Sequence, residues 1–286
     1  MGADPALVAL ALASAFCFAA GLVLARRGLR HLPPLRGACV SVPATALLLL
    51  ALAPARLDLA AWHPGGAAVF ALVGCLFPAA VTLLTFEANR RIGPNLTGAL
   101  GNLAPLFAVL LAFLALGEVP RPGQLAAIGV IVLGVAVLFG GWEVSRALGW
   151  ALALPLLAAL VRGLAQPAVR HGLGLWPDPF AAALIGYLVS AALLLGIGAA
   201  RGALGPAPLP GLLWFVAVGL CNGLAVLTMY AALARGPVAV VAPLVACYPV
   251  VTLLLSVPVL GRHVLTPRAA AGVALTVAGV AALLGA

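Results

Sequence analysis

The sequence predicts an all-α integral membrane protein, with ten transmembrane helices forming two inverted five-helix repeats around a central cavity. Three observations carry this expectation. Hydrophobic residues make up 65% of the 286-residue chain and charged residues only 7%, with a mean hydropathy of +1.25, whereas a soluble domain is nearer half apolar and a quarter charged. The apolar residues fall in runs of about 20, the length that crosses a hydrocarbon core of about 30 Å. The chain also repeats itself. Phe86 to Pro94 pairs with Met229 to Pro237 at a shift of 143. Arg26-Arg27-Gly28-Leu29, followed by Pro33, pairs with Arg170-His171-Gly172-Leu173, followed by Pro177, at a shift of 144.

Charged, proline and glycine clusters divide the chain into ten runs. In the first half, residues 1–142, they are about 6–25, 36–53, 67–88, 95–116 and 123–140. In the second half, residues 143–286, they are about 148–168, 180–199, 211–233, 238–260 and 268–285. Their continuity excludes barrel strands, which alternate apolar and polar residues. Helices remain as the way to satisfy backbone groups inside lipid. Five is an odd number of spans, so the second half enters the membrane upside down relative to the first. Such inverted repeats place a site at the midplane between the halves and permit alternating access to it.

The remaining composition narrows the class. The net charge is +9, and every basic residue is arginine. The arginines lie between apolar runs, where they meet headgroups or set topology, so nucleic acid is not an expected partner. The absence of lysine points to a GC-rich genome and a bacterial inner membrane. Cys17, Cys39, Cys75, Cys221 and Cys247 are scattered through apolar runs with no CxxC pair, which reads as free, small, buried thiols. No HxxxH, HExxH, phosphate loop or nucleophile elbow is present, so neither an enzyme nor a metal or other cofactor is expected. The first apolar run lacks a basic region before it and reads as a membrane helix, not a signal peptide. Trp62, Trp142, Trp150 and Trp176 fall at run ends, as an interfacial aromatic belt does, and Trp214 lies a few residues into its run.

A family resemblance rests on a motif set present in both halves. The first has Gly93-Pro94, Pro105, Leu116-Gly117-Glu118 and the glycine-rich run Gly129 to Gly134. The second has Tyr230-Ala231-Ala232-Leu233, Gly236-Pro237, Pro249 and Leu260-Gly261-Arg262. The chain resembles EamA-domain members of the drug/metabolite transporter superfamily, of the ten-helix type. It departs from the pattern in carrying Arg262 where the first half has Glu118. The resemblance implies a basket of spans one to four and six to nine around a cavity, with spans five and ten at the periphery. Those two runs are rich in small residues, which let helices approach closely. Packing within one bundle and a dimer contact both fit them, so the protein is expected as a monomer or a homodimer.

Arg162 is the foremost site candidate. It lies about fourteen residues into its run, where an arginine costs ~3 kcal/mol on insertion scales. Its repeat counterpart is Phe18, and Gln166 and Arg170 follow it at i+4 and i+8 on one helical stripe. A cavity wall meeting a carboxylate or phosphate is one reading; snorkelling or pairing with Glu87 is the other. Glu87 has Arg90 and Arg91 at i+3 and i+4, a spacing that favours a local salt bridge; the alternative role is a proton-coupling carboxylate. Its counterpart is Tyr230. Asn102, Asn222 and Tyr248 complete the substrate-binding set, on runs expected to line the cavity. Pro78, Pro105, Pro155, Pro243, Pro249 and Pro258 interrupt runs and are candidate hinges.

The resulting expectation is a secondary transporter exporting small polar metabolites such as amino acids, with a small-molecule substrate and the lipid bilayer as partners. Multidrug efflux of lipophilic cations is a rival, disfavoured because a cation site calls for a buried carboxylate. A lipid-linked-sugar flippase or a membrane assembly subunit is another. Two signals disagree on orientation. Ten arginines lie in the loops on the side opposite the termini and four on the termini's side, which places the termini outside. The resemblance implies that both termini are cytoplasmic.

Overall fold

In the computed structural model, which describes residues 4–101, 103–139, 149–260 and 266–285, every described element is helical. The first half gives α1 (Pro5–Gly28), α2 (Pro34–Arg56), α3 (Pro64–Leu76), α4 (Ala79–Gly101), α5 (Ala104–Leu116) and α6 (Pro122–Phe139). The second begins with a 3-10 turn at Gly149–Leu152 and continues with α7 (Ala153–Leu175), α8 (Pro179–Ala200), α9 (Leu209–Arg235), α10 (Val238–Val245), α11 (Tyr248–Leu260) and α12 (Pro267–Gly285). Among the described residues, seven segments are long and apolar enough to cross a membrane. The protein is therefore a multi-pass membrane protein.

Prolines open many of these helices, where the missing N–H is one the helix could not have used. Asp178 also caps α8, accepting from the Phe180 and Ala181 N–H groups at 2.8 and 3.1 Å. Several apolar runs are broken inside. The run 67–88 divides at Phe77-Pro78 into α3 and α4. α4 is kinked at Gly93, whose φ of 78° lies in the left-handed region that glycine tolerates. The run 95–116 divides beside Asn102 into the end of α4 and α5, and the run 238–260 divides at Ala246 and Cys247 into α10 and α11. Each break exposes helix-end carbonyls and N–H groups that other elements must satisfy.

Small residues set the packing. α1 lies antiparallel against α9: Gly28 meets the Phe215 ring, Gly21 meets Asn222, and Leu7 meets Gly236. Ser14 Oγ donates to the Ala225 carbonyl at 2.7 Å along the same contact. α3 crosses α8 where a β-carbon at Gly74 would fall 2.9 Å from the Gly186 Cα. α7 crosses α5 at Gly163, where a β-carbon would fall 3.0 Å from the Ala104 carbonyl oxygen. The two small-residue helices, α6 and α12, pack chiefly against each other and run antiparallel. A β-carbon at Gly134 would lie 2.6 Å from the Thr276 nitrogen, and one at Gly279 would lie 2.9 Å from the Ile131 nitrogen.

One expectation changes here. Trp176 is not a belt residue: it is 2% exposed, stacks near Phe70 and donates from Nε1 to the Asp58 carbonyl at 3.3 Å. A buried indole needs a partner for its N–H, and the loop after α2 supplies one. Trp62 and Trp150 are exposed, as an interfacial position requires; Trp142 lies outside the described residues. The runs 123–140 and 268–285 pair with one another more than with the bundle, because their glycines fit each other's backbones.

Candidate functional site

A cavity opens between α1, α4, α7, α9 and α11, with Tyr187 of α8 in its wall. It encloses about 690 Å³ of non-atom space, solvent at its mouth included. The helix breaks shape it. α4 enters the wall before its kink with Val81, Thr82, Thr85 and Phe86, and after it with Thr97 and Gly101. α7 contributes Pro155, Ala158, Ala159 and Arg162, and none of the residues after Arg162. The cavity thus occupies the half of the protein that holds Arg26. Beyond Arg162 the close crossing of α5 and α7 at Gly163 shuts it.

Arg162 stands at the bottom of this space. Its guanidinium carbon lies 5.1 Å from the centroid of Phe18 and 5.6 Å from that of Tyr248, within cation–π range. Its Nε is buried without a hydrogen-bond partner. With aromatic rings beside it, the guanidinium has its in-plane N–H donors as the remaining polar surface, the geometry that matches a carboxylate or phosphate. Phe18 and Arg162 are repeat counterparts, so the two halves present related positions to each other at this point. Tyr248 is held in place by its hydroxyl, which donates to the Gly98 carbonyl at 3.0 Å, in the last turn of α4. A β-carbon at Gly101 would fall 2.5 Å from that hydroxyl, so a glycine there makes room for it.

Of the sequence candidates, Arg162, Asn222 and Tyr248 line the cavity. Glu87 does not. Its carboxylate pairs with Arg90 at 2.6 Å and with Arg91, and Arg91 in turn lies 4.3 Å from the Trp150 ring centroid. The i+3 and i+4 spacing decides this, as local helix geometry commonly does. Tyr230 and Gln166 are buried away from the wall, at 2% exposure each, and Gln166 Oε1 has no partner. Asn102 lies outside the described residues. Arg170 shares the helical stripe of Arg162 but points to a helix end: its Nη1 donates to the Leu233 carbonyl at 2.8 Å. Sequence reasoning passed over Tyr187, which is 1% exposed and has a hydroxyl without a partner. A tyrosine in the middle of an otherwise apolar run was the available signal, since a buried hydroxyl calls for a partner. Among the described residues no cluster of three His, Cys, Asp or Glu side chains is placed to hold a metal.

Fold and site together define a multi-pass helical membrane protein with a polar-floored cavity between two homologous halves. The description "EamA-like transporter family" matches residues 6–140 and again residues 149–285. The chain belongs to that family, whose members are membrane transporters of the drug/metabolite superfamily. A solved structure described only as a crystal structure of a protein superposes with a TM-score of 0.78 at 22% identity, covering 98% of this chain and 96% of that one. That likeness speaks for the fold. No curated protein matches the sequence.

Proposed function

We propose that this chain is a secondary transporter of ten transmembrane helices, built as two inverted five-helix repeats (1–142 and 143–286). It exports small polar metabolites bearing a carboxylate, such as amino acids, across a bacterial inner membrane by alternating access. The observation that carries the substrate class is Arg162: a cationic group at the cavity floor, with a buried Nε that no protein atom satisfies. The pairing of Phe18 with its counterpart Arg162 supports the repeat reading. Positions related by a duplication meet where they lie near the axis relating the halves, so both residues stay at the site when the gates exchange.

In the cavity the substrate's carboxylate takes the in-plane donors of Arg162. Asn222 and Tyr248 supply neutral polar contacts, while Phe18 and Phe86 offer apolar surface to the rest of the molecule. Lipophilic cations fit poorly, because Arg162 repels them. Glu87 is tied by two guanidiniums outside the wall, so the local ion pair, not proton coupling at the site, is its role here. Both termini are taken as cytoplasmic. Three of the ten arginines that bias the count the other way are engaged in structure: Arg26 on α4 carbonyls, Arg36 on the Ala203 carbonyl and Arg268 on the Val137 carbonyl.

The test is substrate counterflow in proteoliposomes with pooled amino acids, other organic anions and lipophilic cations. Uptake of a carboxylate-bearing solute should fall on the order of 100-fold in Arg162→Ala, the loss of a charge-assisted contact. Uptake confined to cations and indifferent to Arg162 would overturn the reading.

A further inference from the structure

We propose that Glu118 is the latch that holds the far end of the cavity shut, a positioning residue acting through the hinge before α10. The inference rests on the alternating-access reading above. Glu118 follows α5, whose C-terminal Gly117 turns the chain with φ 67°. One carboxylate oxygen accepts from the Val238 N–H at 2.9 Å, at the first residue of α10. The other lies 3.7 Å from Arg170 Nε on α7. Arg170 in turn holds the Leu233 carbonyl in the last turn of α9. A single first-half side chain thus ties together three second-half helix ends.

The place suits a gate. Val238 follows Gly236-Pro237, where the chain is extended between α9 and α10 and no intrahelical bond spans the junction. The side chains of Arg170 and Glu118 are 32% and 20% exposed, so water can take over their hydrogen bonds when the end opens. A fully buried ion pair would resist such an exchange, since each separated charge would be left without solvent. At the opposite end, Arg26 makes the matching contact to the Asn89 carbonyl before the Gly93-Pro94 kink. Among the described residues no carboxylate pairs with Arg26, and the nearby Glu87 is taken by Arg90 and Arg91. The cavity lies on the side of Arg162 that holds Arg26, and the end with the latch is the packed one.

The experiment uses full-length protein in proteoliposomes, with the five native cysteines replaced by serine. Leu7→Cys reports the shut end, since Leu7 is 3% exposed and packs on Gly236. Thr85→Cys reports the open cavity. The probe is a small, charged, thiol-reactive maleimide. Glu118→Gln should speed labelling at residue 7 about tenfold, the loss of one charge-assisted contact, and leave labelling at residue 85 no faster. Val238→Pro deletes the N–H donor at a helix position that accepts proline, exchanges one buried apolar side chain for another, and should act in the same direction. Arg26→Gln should leave labelling at residue 7 unchanged. Unchanged labelling at residue 7 in both latch variants, or faster labelling at both reporters, would overturn the latch. The assay needs no transported solute. Faster labelling at residue 7 in a protein that carries no carboxylate-bearing compound would sink the substrate reading and leave the latch standing.

Discussion

Arg26 and Arg170 occupy equivalent places in the two halves and do the same work at opposite ends of the protein. Arg26 Nη1 donates to the Asn89 carbonyl at 2.8 Å, and Arg170 Nη1 to the Leu233 carbonyl at 2.8 Å. In each half the proline of a glycine-proline break cannot donate to the carbonyl four residues back, that of Arg90 or Leu233, and the arginine donates to that carbonyl. The cationic side chain also sits at the negative end of the helix dipole. The two sites then diverge. Arg170 has Glu118 beside it, whereas Arg26 has no acid among the described residues. The floor diverges too, with Phe18 in one half and Arg162 in the other. Duplication kept the contacts that close helix ends and let the polar residues between them differ. The arginine contacts at helix ends are shared between the halves; the acid beside the arginine and the charge at the cavity floor are not.

The comparison can be broken most severely at the close crossing. Gly163 stands where the first half has Ala19, which is itself fully buried. In the second half, the Phe107 Cβ and the Ala104 carbonyl occupy the space a side chain would need. Gly163→Val should destabilise the protein by about 3 kcal/mol, the upper range for overpacking, read as a lower unfolding temperature in detergent. Gly174→Ala, on the same helix with open space around it, should cost less than about 0.5 kcal/mol. Equal effects would mean that α5 and α7 do not approach as closely as described.

The clamps themselves give a smaller effect. Arg170→Gln should cost about 2 kcal/mol and Arg26→Gln about 1 kcal/mol, since both strand carbonyls but only the first also strands Glu118. Denaturant unfolding of each single variant measures the difference, and adding Glu118→Gln should shrink the Arg170 penalty toward that of Arg26. A penalty that stays the same would separate Glu118 from Arg170 energetically. Smallest is Glu87→Gln. Its partners are largely exposed, so the loss should be under about 1 kcal/mol, with counterflow and its pH dependence unchanged. A counterflow rate that loses its pH dependence in this variant would return Glu87 to the coupling role.

Much of the fold was legible because lipid imposes a simple rule. Each apolar run had to become helix, and the breaks at Pro78 and Gly93-Pro94 fell where residue chemistry put them. The Glu87 pair was legible as well, since i+3 and i+4 partners meet on any helix. The role of Arg170 was not. On the helical stripe it looked like an extension of the Arg162 wall, yet its partner is a carbonyl 63 residues away in sequence. The burial of Trp176, the unpartnered hydroxyl of Tyr187 and the mutual packing of α6 and α12 escaped for the same reason. Each depends on which helix lies alongside.

By itself, the sequence determined the solvent, the secondary structure and the existence of two related halves. Transfer from water to lipid is summed residue by residue along the chain, so composition and order suffice to read it. Tertiary structure alone decided which arginine faces the cavity, which ones close helix ends, and on which side of Arg162 the cavity lies. Those outcomes turn on carbonyls at helix breaks and on side chains that reach them from another helix, 63 residues away in sequence for both Arg26 and Arg170. No run of sequence contains both partners.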